Sequence, residues 1–187
     1  MYMNYRLRFF FWLLAVIGLI IVVILLLMPN SKNNIAGTTF INYASSNTAT
    51  ATLIIDASEQ ANSTHQAVKI AVSKNEVVYQ QLATYNYNVI NTKIYKNNYN
   101  SFYVFLRALY FAGYLNGNQN PIDGNSYGVC PLGDRYTFNF TKNHQTLIHY
   151  WATSCGNKTY RGNVNLTLNL FEGQVPNFQT LTENINF

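Results

Sequence analysis

The chain has 187 residues, of which 10% are charged, 49% hydrophobic and 16% aromatic. Fifteen Tyr and twelve Phe are ample for a packed core and exclude a disordered chain. The net charge is +5, and with Arg6 and Arg8 set aside it falls to +3, too weak and scattered for a nucleic-acid surface.

The longest apolar run is Phe9 to Met28, FFFWLLAVIGLIIVVILLLM, with no charged or amide side chain in its 20 residues. As a helix it is about 30 Å long, which matches the hydrocarbon core of a bilayer. Arg6 and Arg8 precede it and only Lys32 closely follows it. The positive-inside bias then keeps residues 1–8 in the cytoplasm and sends the rest of the chain out through a single pass. A cleaved signal peptide is the alternative. Against it stand the length of the run and the absence of a small-x-small site in Pro29-Asn30-Ser31-Lys32. The expected organisation is a tail over 1–8, a signal-anchor over 9–28, a flexible stalk over 29–47 and one extracytoplasmic domain over 48–187.

Within that domain, Thr52-Leu53-Ile54-Ile55 reads as a first strand. Ala67 to Val72 alternates, Ser73 to Glu76 turns, and Val77-Val78-Tyr79 resumes, which predicts a hairpin. Asn88 to Tyr95 is a further extended segment. Asn97 to Asn100 supplies N-cap side chains for an amphipathic helix over Ser101 to Leu115, with Phe102, Phe105, Leu106, Leu109 and Ala112 facing the sheet. Asn116-Gly117 is expected to end it. A second stripe, Tyr103, Arg107, Tyr110 and Tyr114, is a candidate partner surface, an aromatic platform with a cation suited to a glycan or an envelope protein. The plainer reading of that stripe is a helix packed on two sides.

Asn118 to Val129 is a Gly-, Asn- and Pro-containing loop. Tyr136 to Phe140 and Leu147 to Trp151 both alternate about a turn at Lys142 to Gln145, predicting a second hairpin. An even loop places Tyr136, Phe138 and Phe140 on one face with Leu147, His149 and Trp151. Centring the turn on Asn143-His144 pairs Phe140 with Leu147 and Tyr136 with Trp151. The same parity puts Cys130 and Cys155, the only cysteines, on one face at the open end of the hairpin. An oxidising compartment makes them a disulfide. Residues 163–172 fit both periods, Val164, Leu166, Leu168 and Leu170 as a strand or Val164, Leu168 and Phe171 as a helix.

The fold class these elements predict is α+β, an N-terminal transmembrane helix followed by a small antiparallel sheet covered by one or two helices. Chemistry is scarce. His65 falls in a loop, His144 in a turn, and His149 on the expected inner face as a buried, hydrogen-bonded side chain. A triad of Ser154, His149 and Asp134 can be drawn, but nothing in the sequence fixes a nucleophile beside a base. No P-loop, dinucleotide fingerprint or metal-ligand spacing occurs, so no catalytic residue, cofactor or metal site is assigned.

Several segments together resemble uncharacterised single-pass membrane proteins of the Saccharibacteria and related candidate-phyla bacteria. They are Ala67-Val68-Lys69-Ile70-x-Val72, Val89-Ile90-x-Thr92-Lys93-x-Tyr95-x-Asn97-Asn98, Gly128-Val129-Cys130-Pro131-x-Gly133-x-Arg135-Tyr136, Trp151-Ala152-Thr153-Ser154-Cys155 and Leu170-Phe171-x-x-Gln174-Val175-Pro176. The resemblance spans 67–178. It implies an anchor with one small external domain and a helix over Asn163 to Glu172, and it implies no activity. The functional expectation is a membrane-anchored extracytoplasmic binding or scaffold module whose partners are the lipid bilayer, through 9–28, and an envelope protein or glycan. A small envelope hydrolase is the alternative.

Overall fold

The computed structural model describes residues 12–18, 36–57, 66–83, 87–118, 129–156 and 158–185. The chain divides into two compact units, Met1–Asn34 and Ile35–Phe187. In the first, residues 12–18 are helical. The rest of the predicted span over 9–28 lies outside the described residues. Among the described residues, no helix is long and apolar enough to cross a membrane.

The second unit is α+β. Helix α1 (Gly37–Asn42) continues into a 3-10 turn over Tyr43–Ser45. Strands β1 (Thr50–Asp56), β2 (Gln66–Ser73), β3 (Glu76–Ala83) and β4 (Asn88–Lys96) follow, then helix α2 (Tyr99–Phe111). Strands β5 (Arg135–Lys142) and β6 (Gln145–Thr153) precede helices α3 (Val164–Glu172) and α4 (Phe178–Thr182). The sheet has six strands in the order β4-β3-β2-β1-β5-β6, every neighbour antiparallel. Because β5 pairs with β1 across the sheet, the two predicted hairpins join into one surface.

One face is the core. Leu53, Ile70, Tyr79, Phe138, Phe140, Ile148 and Tyr150 point from the strands at Phe102, Phe105, Leu106 and Leu109 of α2, all buried. Phe105 meets Phe171 of α3 edge to face at 5.1 Å, and Tyr79 meets Phe178 of α4 at 6.3 Å. The amphipathic stripe read from the sequence therefore does what helical periodicity requires of it. Helix α2 begins at Tyr99, two residues before the expected Ser101, and its cap is one of the asparagines expected there, with the Asn98 side chain accepting from the Ser101 N–H at 3.0 Å. Helix α3 starts the same way, with Asn163 accepting from Leu166. Residues 163–172 are thus a cap and a helix.

Three expectations change. The stalk does not run to residue 47, because α1 and the following 3-10 turn are folded and bury Phe40 and Ala44 completely. Phe40 packs edge-on against Phe140 at 4.9 Å, so the domain begins near Ala36. Helix α2 ends four residues before Leu115. Gly113, at φ +82°, reverses the chain, with the Tyr114 N–H bonding Leu109 and the Gly113 N–H bonding Tyr110 in a Schellman motif. The third change is in register. The hairpin turn is Asn143-His144, both at positive φ as a tight two-residue turn demands. An irregularity follows between Phe140 and Thr141, leaving Leu147 as the extra residue on β6. Beyond it Phe140 pairs with Ile148, Phe138 with Tyr150 and Tyr136 with Ala152. His149 and Trp151 consequently lie on the opposite face from Phe138, and His149 is exposed.

The buried tyrosines make the core sensitive to alkali. Burial pushes Tyr160 up to about 12 and Tyr114 well above the ordinary value of 10.0, and burial, then the Asp134 charge, raises Tyr136 to about 12. The Tyr114 hydroxyl donates to the Asn139 carbonyl at 2.7 Å, and Tyr160 shares a 2.7 Å bond with Thr167. A group whose folded pKa is raised contributes its full stability below the unfolded value and loses it as pH climbs through the folded one. The domain is therefore expected to hold to about pH 10 and to unfold between about 10 and 12. Phenolate absorbance and circular dichroism should change together there. Fifteen tyrosines ionising smoothly near 10 under an unchanged dichroism spectrum would contradict the assignment.

Candidate binding surfaces

The predicted stripe of Tyr103, Arg107, Tyr110 and Tyr114 does not survive as four residues. Tyr114 lies past the Gly113 reversal, fully buried, with its ring against Phe40, Phe138 and Phe171. It is a core residue. Tyr103 is half-buried and stacks on Tyr99 at 6.0 Å. Arg107 is exposed, its guanidinium 5.7 Å from the Phe111 ring, and Tyr110 is exposed beside Phe111. The outward arc also carries two side chains that the stripe did not include, Val104 at 64% exposure and Phe111 at 71%. They are seven apart with Arg107 between them, so the helical spacing that located the inner face also marks these. Helix α2 is apolar on both sides.

A second surface is the outer edge of β4, the last strand in the order. All of its residues but Tyr95 are exposed, including Val89, Ile90 and Ile94. A half-buried strand would alternate. Asn88-Val89-Ile90-Asn91-Thr92-Lys93-Ile94 does not, and that lack of a clean period was the available sign of an edge exposed on both faces. The opposite edge differs. There the 158–160 segment bridges to Ala152, and the Thr159 and Tyr160 N–H groups both donate to the Trp151 carbonyl at 3.0 Å. Among the described residues no strand or segment covers β4 in this way.

The outward sheet face carries rows of paired residues, among them Val78, Ala71, Thr52, Asn139 and His149. His149 Nδ1 is 2.6 Å from Asn139 Oδ1. At the end of this face Arg135 donates to Asp56 at 2.8 Å. No sequence signal announced that pair, whose members are 79 residues apart and meet only because β5 lies beside β1.

The residues of the paper triad are not brought together. Ser154 lies just beyond β6, five residues from His149, roughly 16 Å along an extended chain. Its hydroxyl accepts the Asp134 N–H at 3.0 Å, while the Asp134 carboxylate accepts from Tyr136 at 3.3 Å. These groups build the turn that holds the disulfide. Cys130 and Cys155 are bonded with their Cα atoms 5.9 Å apart. The bridge closes a 25-residue separation, worth about 3 kcal/mol in the chain-entropy model.

One open hollow of about 370 Å³ lies between α3 and α4, lined by Asn169, Glu172, Gly173, Asn177, Phe178, Gln179 and Thr180. Burial holds the Glu172 carboxyl above its ordinary range. A lone protonated carboxyl group can donate a proton to a substrate, but glycoside cleavage needs a second acid, and the lining supplies amides, a hydroxyl and one ring instead. Among the described residues, no group of three or more His, Cys, Asp or Glu could hold a metal. No protein-family model and no curated protein matches the chain.

Proposed function

We propose that this chain is a membrane-anchored extracytoplasmic binding or scaffold module whose recognition element is the open edge of β4. The observation that supports this reading is an edge strand with eight of its nine residues exposed, Val89, Ile90 and Ile94 among them. Such an edge is a ready template for one more strand. An extended polypeptide adds there through main-chain hydrogen bonds, with alternate side chains giving selectivity. Lys93, Lys96 and the irregularity opposite Gln81 and Leu82 are the devices by which natural edges resist indiscriminate pairing. An edge guarded in this way suits a chosen partner better than self-aggregation. The apolar run of 9–28 and the Arg6/Arg8 bias support the anchor and its orientation, and an external position accords with the disulfide.

The hydrolase alternative has the Glu172 hollow as its one observation, and that hollow holds a single acid. The two readings separate in one experiment. The full chain is cross-linked in its own membranes and purified, as wild type and as a Val89→Lys/Ile94→Lys variant. Both positions are solvent-exposed, so the fold should persist. Two lost cross-strand contacts at up to about 1 kcal/mol each should cut the recovered partner polypeptide about tenfold. Equal recovery from both proteins overturns the edge as the binding site. Turnover of wall polymers or peptides that a Glu172→Gln change abolishes would favour the hydrolase.

A further inference from the structure

The outward face of α2 is an anomaly for a surface helix. Helix α2 has 13 residues and no acidic side chain. Its inner stripe is buried in the core, so the usual arrangement would place charged residues outside. Instead Val104 and Phe111 stand most exposed, flanked by Tyr99, Tyr110 and Arg107. A soluble domain with no further partner for this helix would gain nothing from such a composition.

Where the chain enters the domain bears on what covers this face. Helix α1 packs against α2, and Gly37 lies so close to the Tyr110 ring that a Cβ there would overlap it. Residues 36 and 37, which follow the apolar run in sequence, therefore sit beside the Tyr110 end of α2. From Met28 to Ala36 there are eight residues, at most about 29 Å when fully extended. That length carries Lys32 and no acid. The segment after α1 gathers two more cations, with Lys142 4.3 Å from the centre of the Tyr43 ring and Lys74 3.4 Å from the Ser45 carbonyl.

We infer that the outward face of α2 docks on the lipid headgroup surface of the bilayer that anchors the chain. The inference rests on the anchored reading above. Tyr, Phe and Arg are the side chains that settle at a membrane–water interface, rings toward the acyl boundary and the guanidinium at the phosphates. A single helix face binds a membrane weakly when free. A tether of eight residues keeps it within reach of the surface, so the second contact is intramolecular and its effective concentration high. Docking through α2 leaves β4, at the edge of the sheet, as a separate recognition surface. A second copy of the chain is the competing occupant.

The test is hydroxyl-radical footprinting of the full chain in bilayer nanodiscs loaded with one copy each, with Tyr87 as the exposed reference. Oxidation of Tyr110 and Phe111 is expected to fall several-fold relative to the chain held in short-chain detergent, and a Val104→Glu/Phe111→Glu variant should restore Tyr110 oxidation in the bilayer. If residues 9–28 are protected while Tyr110 and Phe111 oxidise as freely as in detergent, the docking is wrong and the anchor stands. If 9–28 is unprotected and the chain is not retained by the discs, both fail. Protection that appears only with two copies per disc would overturn the lipid surface in favour of a second copy.

Discussion

Replacing Phe40 with alanine is expected to destabilise the domain by about 3–5 kcal/mol, the range for a fully buried aromatic whose cavity only partly collapses. Phe40 has no exposed surface, and its ring lies 4.9 Å from Phe140 and 5.9 Å from Tyr114. It is the one buried residue of a six-residue helix, too short to persist alone in water. Removing the ring therefore takes away the reason for α1 to stay docked as well as its own packing. In a domain of this size the loss corresponds to a fall in melting temperature of roughly 6–20 °C. Thermal unfolding followed by circular dichroism measures it. A midpoint equal to that of the wild type would mean that residues 36–45 act as tether after all, and the argument for where the chain meets α2 would go with it.

Much of this fold was legible because its elements obey one period each. Val68, Ile70 and Val72 alternate and face the core, and Phe102, Phe105, Leu106 and Leu109 recur at helical spacing and pack onto them. The disulfide was legible for a different reason. Two cysteines in an oxidising compartment leave one pairing, and that held although the parity argument for it did not: Leu147 shifts β6 by one residue, and both cysteines lie in turns beyond the ends of β5 and β6. What could not be read was set by events one residue long. The extra residue Leu147 has no side-chain signature, yet it moves His149 and Trp151 to the other face. Gly113 takes the left-handed conformation that Asn116-Gly117 also offered, and so Tyr114 leaves the helical stripe and enters the core.

The candidate partner surface follows the same division. Arg107 and Tyr110 stand exposed where helical spacing put them. Val104 and Phe111 escaped notice because an apolar side chain on an amphipathic helix is assumed to face inward. Residues 36–45 escaped because Phe40, Tyr43 and Ala44, although at helical spacing, span little more than one turn in a window otherwise rich in Gly, Thr, Asn and Ser. The order β1-β5 was not available from local pattern, since it joins segments separated by three strands, a helix and a loop.

That non-local pairing creates the second large effect. Arg135→Ala is expected to cost about 3–5 kcal/mol, because it leaves the Asp56 carboxylate buried without the guanidinium that balances it. Asp56 and Arg135 are 6% and 8% exposed and sit directly opposite each other in the β1–β5 register. Their 2.8 Å bond lies at the sheet end that runs into the disulfide turn, where Thr153 pairs with Arg135. A solvent-exposed ion pair would give no more than about 1 kcal/mol, so the size of the loss reports whether the site is dry. The double replacement Asp56→Leu/Arg135→Met separates two meanings of that loss. If the cost comes from an uncompensated charge, the apolar pair should recover most of the stability, since a buried ion pair and a well-packed apolar pair of similar volume are close in energy. If instead the two charges organise the junction of β1, β5 and the Cys130–Cys155 turn, the double variant should stay as unstable as Arg135→Ala. Urea midpoints for the two variants and the wild type decide between these outcomes, and an Arg135→Ala midpoint within about 1 kcal/mol of wild type would reject the buried pair altogether.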